Sequence, residues 1–232
     1  LTDLDVAEAF RIFVKEPYQL GDVAVSGRAG AKLRLDGLDP AGGDGAVRGR
    51  VRLEDAGFER GDVRVDGGSL GLPVAHRFGD ADEGDADDRE EDWGSLRIAA
   101  AESPFVNVRG LDVPVALRPG SLVLRGPVEL PLFGGELLLS DIVVMEPISS
   151  DPELFVNARI HQLQFSQVPA GGIPLAGTLS GDLGLVRAGR GGVRVPGRLS
   201  GDIFGGDLLV WGLGVADPLN AARRMTGNVR VT

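Results

Sequence analysis

Period-two alternation of apolar and polar residues dominates this chain. In AVRGRVRLED (46–55), Val47, Val51 and Leu53 fall on one side, and Arg48, Arg50, Arg52 and Glu54 on the other. AKLRLDG sets Leu33 and Leu35 against Lys32, Arg34 and Asp36, and GDVRVDGG sets Val63 and Val65 against Asp62, Arg64 and Asp66. A strand with one apolar and one wet face belongs to an antiparallel sheet. Gly-Gly, Asp-Gly and Pro-Gly pairs punctuate the strand candidates as hairpin turns do. The expectation is a mostly β, antiparallel protein.

The pattern also repeats at longer range. LFGGELLLSDIVVMEP (132–147) returns, without a gap and 71 residues later, as IFGGDLLVWGLGVADP (203–218). The same offset lays GSLVLRGPVE (120–129) over GGVRVPGRLS (191–200) and FVNARI (155–160) over TGNVRV (226–231), with FVNVRGLDV (105–113) as a looser third copy. Repetition of this kind builds an extended surface rather than one active site. Residues 1–104 are read as a β-rich first part and 105–232 as a repeat region, with copies at 120–160 and 191–231.

Helix is sparse. Residues 3–16 can form about three turns before Pro17. DPLNAARRMTG (217–227) has an N-cap acid, a proline at the first helical position and a closing glycine. QFSQVPAGG (164–172) reads as a short helical turn. DADEGDADDREED (80–92) carries nine acids and one Arg and reads as a solvated loop.

Composition narrows the chemistry. With 36 glycines, 14 prolines and few aromatics, the chain suits short strands and tight turns. A formal charge of −10 argues against nucleic acid, and the absence of cysteine removes disulfides, thiolate nucleophiles and zinc–cysteine sites. No run approaches eighteen apolar residues. The chain opens on Leu1 and is read as a segment of a longer protein.

No catalytic or metal constellation emerges. In the acidic loop Asp80 and Asp82 suit the first calcium-ligand positions, but Gly84 stands where the third ligand belongs. His76 and His161 lack ligand-spaced partners and read as surface or sheet-face residues. The FGG phrases are followed by neither helix nor lysine, so they read as turns or bulges rather than phosphate loops. The chain is therefore expected to be neither an enzyme nor a holder of a cofactor.

The repeated phrases are apolar at both strand parities. Phe133, Leu138, Ile142, Phe204, Leu209, Trp211 and Leu213 are the candidates for lining an apolar surface. Two readings stay open: strands sandwiched in a closed core, as in a structural or interaction module, or one face of a curled sheet left uncovered for acyl chains. A carbohydrate-acting β enzyme is a weaker third, since nothing singles out a carboxylate pair.

The run IPLAGTLSGDLGLVRAGRGGVRVPGRLSGDIFGGDLLVWGLGVADP (173–218), with its GTLSGD turn and the NxR strand leading into IHQLQFSQV, resembles AsmA-like proteins of the Gram-negative envelope, of the AsmA, YdbH and TamB type. The resemblance covers 105–232 best. It implies a curled antiparallel repeat sheet forming an open, taco-like groove with one to three short helices. It further implies a periplasmic location, an inner-membrane tether outside this chain, and conduction of phospholipid acyl chains between the two membranes. Other envelope proteins are possible partners. None of the family's lipid contacts transfers by motif, and the acidic segment 80–92 has no counterpart there.

Overall fold

The computed structural model describes residues 4–10, 23–36, 45–78, 93–103, 106–147, 149, 151–168, 175–189, 191–216 and 224–232. The chain divides into two compact units, Leu1–Leu117 and Arg118–Thr232. This division lies beyond the 104/105 boundary expected from the sequence, so the looser copy at 105–113 belongs to the first unit. Among the described residues nearly everything is antiparallel strand, and neither unit closes into a barrel.

The first unit contains β1 (Leu4–Asp5), helix α1 (Val6–Phe10), β2 (Val23–Asp36), β3 (Gly45–Arg60), β4 (Val63–Phe78), β5 (Gly94–Glu102) and β6 (Asn107–Arg118), its strands paired in that order. Asp5 caps α1, its carboxylate accepting from the Ala7 amide at 2.8 Å. Cross-strand partners share a face, and the register gathers the alternating apolar residues into rows. Leu53, Leu70, Leu96 and Val113 form one, and Val51 stands beside buried Leu72.

The second unit contains β7 (Ser121–Leu124), β8 (Val128–Leu132), β9 (Gly135–Met145), β10 (Glu153–Gln164), β11 (Gly177–Gly189), β12 (Gly192–Ile203), β13 (Gly206–Ala216) and β14 (Arg224–Val231). The order is β7-β9-β10-β11-β12-β13-β14, and β8 also pairs with β9. A single 3-10 turn, Phe165–Gln167, is the only helical element described in this unit.

The helix expectations fare unevenly. Within 3–16 the structure has β1 and the five-residue α1, and 11–16 lie outside the described residues. Within 164–172 it has the 3-10 turn. Arg224–Gly227, expected to end a helix over 217–227, instead open β14, where Arg224–Thr226 pair with Gly214–Ala216. Tertiary pairing overrides a local cap signal here; residues 217–223 lie outside the described set, as does the acidic segment 80–92.

The 71-residue repeat is a repeat of register. β7 and β8 together correspond to β12, β9 to β13 and β10 to β14. Leu124 faces Ile142 and Val128 faces Leu139; their counterparts Val195 and Leu199 face Leu213 and Val210. Asn157 faces Ser140, and Asn228 faces Trp211. Both FGG phrases close two-residue hairpins, between Leu132 and Gly135 and between Ile203 and Gly206. Both central residues have positive φ, 46° and 72° at Phe133 and Gly134, 51° and 82° at Phe204 and Gly205. That is the signature of a type I′ turn, which normally takes Asn or Asp, not Phe, first.

A left-handed conformation costs an L-residue about 1–2 kcal/mol, which asparagine largely escapes. Phe133 recovers some of that cost by packing against the buried cluster of this unit, whereas Phe204 is 66% exposed. Phe204→Asn is therefore expected to raise stability by about 1 kcal/mol, and Phe133→Asn to give no gain. Urea unfolding of the two variants checks this, and a destabilised Phe204→Asn would contradict it.

Candidate apolar binding face

The apolar residues of the second unit are aligned by strand register. Leu130, Leu137, Ile160, Gly181, Leu199, Val210 and Val229 stand side by side across β8 to β14. A neighbouring row runs Leu163, Leu179, Gly201, Leu208 and Val231. Ile160, Leu163, Leu179, Leu199 and Leu208 are the buried cluster, and Leu132, Phe133, Leu137, Phe165, Val168, Leu183, Ile203, Val210 and Leu213 pack around it half-buried. Gly181 and Gly201 leave the middle of the face without side chains, because a Cβ at either would run into a neighbouring strand's carbonyl. Among the described residues of this unit no second sheet covers the face.

The face is buried at this cluster and becomes exposed on β14. Val229 and Val231 are 66% and 57% exposed, whereas their counterparts 71 residues earlier, Ala158 and Ile160, are 5% and 9% exposed. Met225, opposite Val215, is 75% exposed. The register is equal but the cover is not: β10 has β11 along its other edge, whereas among the described residues only β13 pairs with β14.

The reverse face is charged. Glu129, Leu138, Arg159, Asp182, Arg198, Trp211 and Asn228 form its row, alternating in sign at the centre. Arg159 reaches Asp182 at 3.4 Å, and the Gly184 amide donates to the same carboxylate at 2.7 Å. The amide first, then the guanidinium, holds the Asp182 pKa below its ordinary value. Farther along, Val143, Met145, Phe155 and Leu185 line a cavity of about 640 Å³ rimmed by Glu146, Asp151 and Glu153. Arg187 lies over the Phe155 ring, 5.5 Å from its centre, and pairs with Glu153.

The seven sequence candidates therefore divide. Leu213 and Phe133 pack on the buried cluster and Ile142 is buried. Leu138, Leu209 and Trp211 are half-buried in the charged rows, Leu209 beside Ser200 and Arg230, and do not join the others. Phe204 is an exposed turn tip. The two-sided apolar look of ELLLSDIVVM has a geometric source: Asp141, with φ of 50°, is an extra residue in the pairing with β10. Gly212, with φ of 63°, sits at the matching irregularity between β13 and β14. Alternation changes parity there, so Leu137 and Leu139 share a face with Ile142. The sequence reading laid 226–231 over the strand at 155–160 but did not offer Val229 and Val231 as lining residues, although the repeat maps them onto Ala158 and Ile160.

Compared with family models, curated proteins and solved structures, the chain matches none.

Two measurements check this geometry. Ile160→Ala should cost about 2–4 kcal/mol by emptying a packed position, while Val231→Ala at the same register should stay within about 0.5 kcal/mol; equal costs would contradict an uncovered β14. In an NMR titration the Asp182 carboxyl should ionise below the usual aspartate range. Arg159→Gln should move it up only part of the way, because the Gly184 amide remains. A depressed folded-state pKa stabilises the native protein above the unfolded-state value, and that contribution fades as pH falls through the folded value.

Proposed function

We propose that the chain is a non-enzymatic, periplasmic segment of an AsmA-like protein that holds phospholipid acyl chains on the apolar face of its second unit and lets them pass between membranes. The observation that carries this reading is the pair of apolar rows on one face of the second unit, buried at Ile160, Leu199 and Leu208 without a second sheet over them among the described residues, and exposed at Val229 and Val231 on β14. The resemblance of 105–232 to the AsmA-like superfamily points the same way.

Each CH₂ withdrawn from water contributes about 0.8 kcal/mol, so such a face retains acyl chains without specific polar contacts. Successive strands advance the face by about 4.8 Å. Repetition of register presents similar surface at successive steps, which keeps affinity level along the path and lets a bound chain slide. Head groups stay in solvent at the margin.

Phospholipid should be recovered when the chain is expressed in a Gram-negative host, purified without detergent, extracted and examined by lipid mass spectrometry. The double variant Val229→Asp, Val231→Asp should lower recovery at least about tenfold, a loss of about 1.4 kcal/mol, with its thermal unfolding unchanged, since both positions are exposed. Recovery of no phospholipid from the unmodified chain overturns the reading in favour of a structural or interaction module.

A further inference from the structure

The polar face of β2 and β3 in the first unit is basic. Lys32 stands directly opposite Arg50 and Arg34 directly opposite Arg48, and Arg52 follows on the same side between Gly30 and Gly71. All five are exposed. Arg34 is held by Asp36 at 2.7 Å. Lys32, Arg48, Arg50 and Arg52 have no ion-pair partner among the described residues. Nearby acids are engaged elsewhere, Asp55 with Arg28 at 2.8 Å and Asp112 with Arg97 at 2.9 Å, while Glu54 stands at the end of the row. Beside the row, Arg50, Arg52, Arg97, Ser69, Ser95 and Trp93 line an open cavity of about 460 Å³.

Like charges directly opposite in an antiparallel pair destabilise it. The chain has 34 acidic and 24 basic residues, so acids to place across from Lys32 and Arg34 are not in short supply. Two consecutive base-on-base pairs set a positive field on one sheet face of a protein whose net charge is −10. An anionic surface fits that face and repels most of the remainder, which fixes the docking orientation.

We propose that this face docks on the phosphate-bearing surface of an anionic phospholipid bilayer. The basic tips form a two-dimensional array on a sheet, suited to many headgroups at once. Duplex nucleic acid takes a helix or ribbon into its groove, and single strands need rings on which bases stack. Here the basic residues lie on an open sheet face, and Trp93 is half-buried in the cavity wall. The Arg and Ser side chains of the cavity offer donors for a phosphate drawn in from the surface. Docking is independent of acyl-chain conduction, since it uses the other unit and other residues.

Flotation of the whole chain with vesicles tests it. Binding is expected with phosphatidylglycerol-containing vesicles, not with phosphatidylcholine alone, and should be released at about 1 M salt, where the Debye length is about 3 Å. Each of Arg48→Gln, Arg50→Gln and Arg52→Gln should weaken binding about fivefold, and the three together about a hundredfold. Arg194→Gln in the second unit should have no effect. The triple variant should unfold no more easily than the parent, because it relieves repulsion, and should retain any lipid found by extraction. Equal flotation with neutral vesicles, no change in the triple variant, or equally tight binding of a single-stranded oligonucleotide or inorganic phosphate overturns the proposal.

Discussion

Cross-strand register is the constraint on which everything else in the second unit rests. A sheet with one apolar side survives only if each strand enters its ladder in phase, because a slip of one residue exchanges the two faces. In every long pairing from β9 to β14 the phase is interrupted by an irregularity and then recovered. Backbone with positive φ at Asp141, Gln162, Gly184 and Gly212 makes the interruptions possible. The resulting rows keep Leu199 and Leu208 on one side and Arg159 and Asp182 on the other.

The strands were legible from simple alternation in the first unit, where β3 realises AVRGRVRLED with Val51 turned in and Arg50 turned out. In the second unit alternation alone misleads. A pattern count assumes constant parity, and the extra residue at Asp141 reverses it midway, so Leu138 was grouped with Ile142 although they lie on different sides. The internal repeat was the better guide, since it carries register as well as composition. Only the start of β14 was misread, because Asp217, Pro218 and Gly227 imitate helix ends locally, while the pairing of Met225 with Val215 is set by a strand elsewhere in the chain. The basic face was visible as a run of arginines; that Lys32 would stand across from Arg50 depends on the β2–β3 register, which no local pattern states.

The two units use their polar sides differently. In the central row of the second, opposite charges neighbour each other, although Arg194 stands opposite Arg187 farther along, and Asp182 is satisfied by both Arg159 and a backbone amide. Such exposed pairs contribute little to stability. On the β2–β3 face of the first, base faces base at Lys32–Arg50 and Arg34–Arg48, and the field reaches about a Debye length into solvent. A chain that is acidic overall thus carries a positively charged patch on the β2–β3 face.

Asp141 and Gly212 occupy the same place in the two copies and solve the same backbone problem by different chemistry. At Asp141 the carboxylate accepts from Asn157 Nδ2 at 2.8 Å, a local bond that rewards the left-handed conformation. At Gly212 there is no side chain to strain, and the Nδ2 of Asn228, counterpart of Asn157, lies 3.1 Å from where a Cβ would sit. Divergence between copies is thereby funnelled: this site can drift among glycine, aspartate and asparagine, while a β-branched replacement would throw every later residue of its strand out of phase. The asparagine shared by both copies is the partner that keeps this narrow choice open.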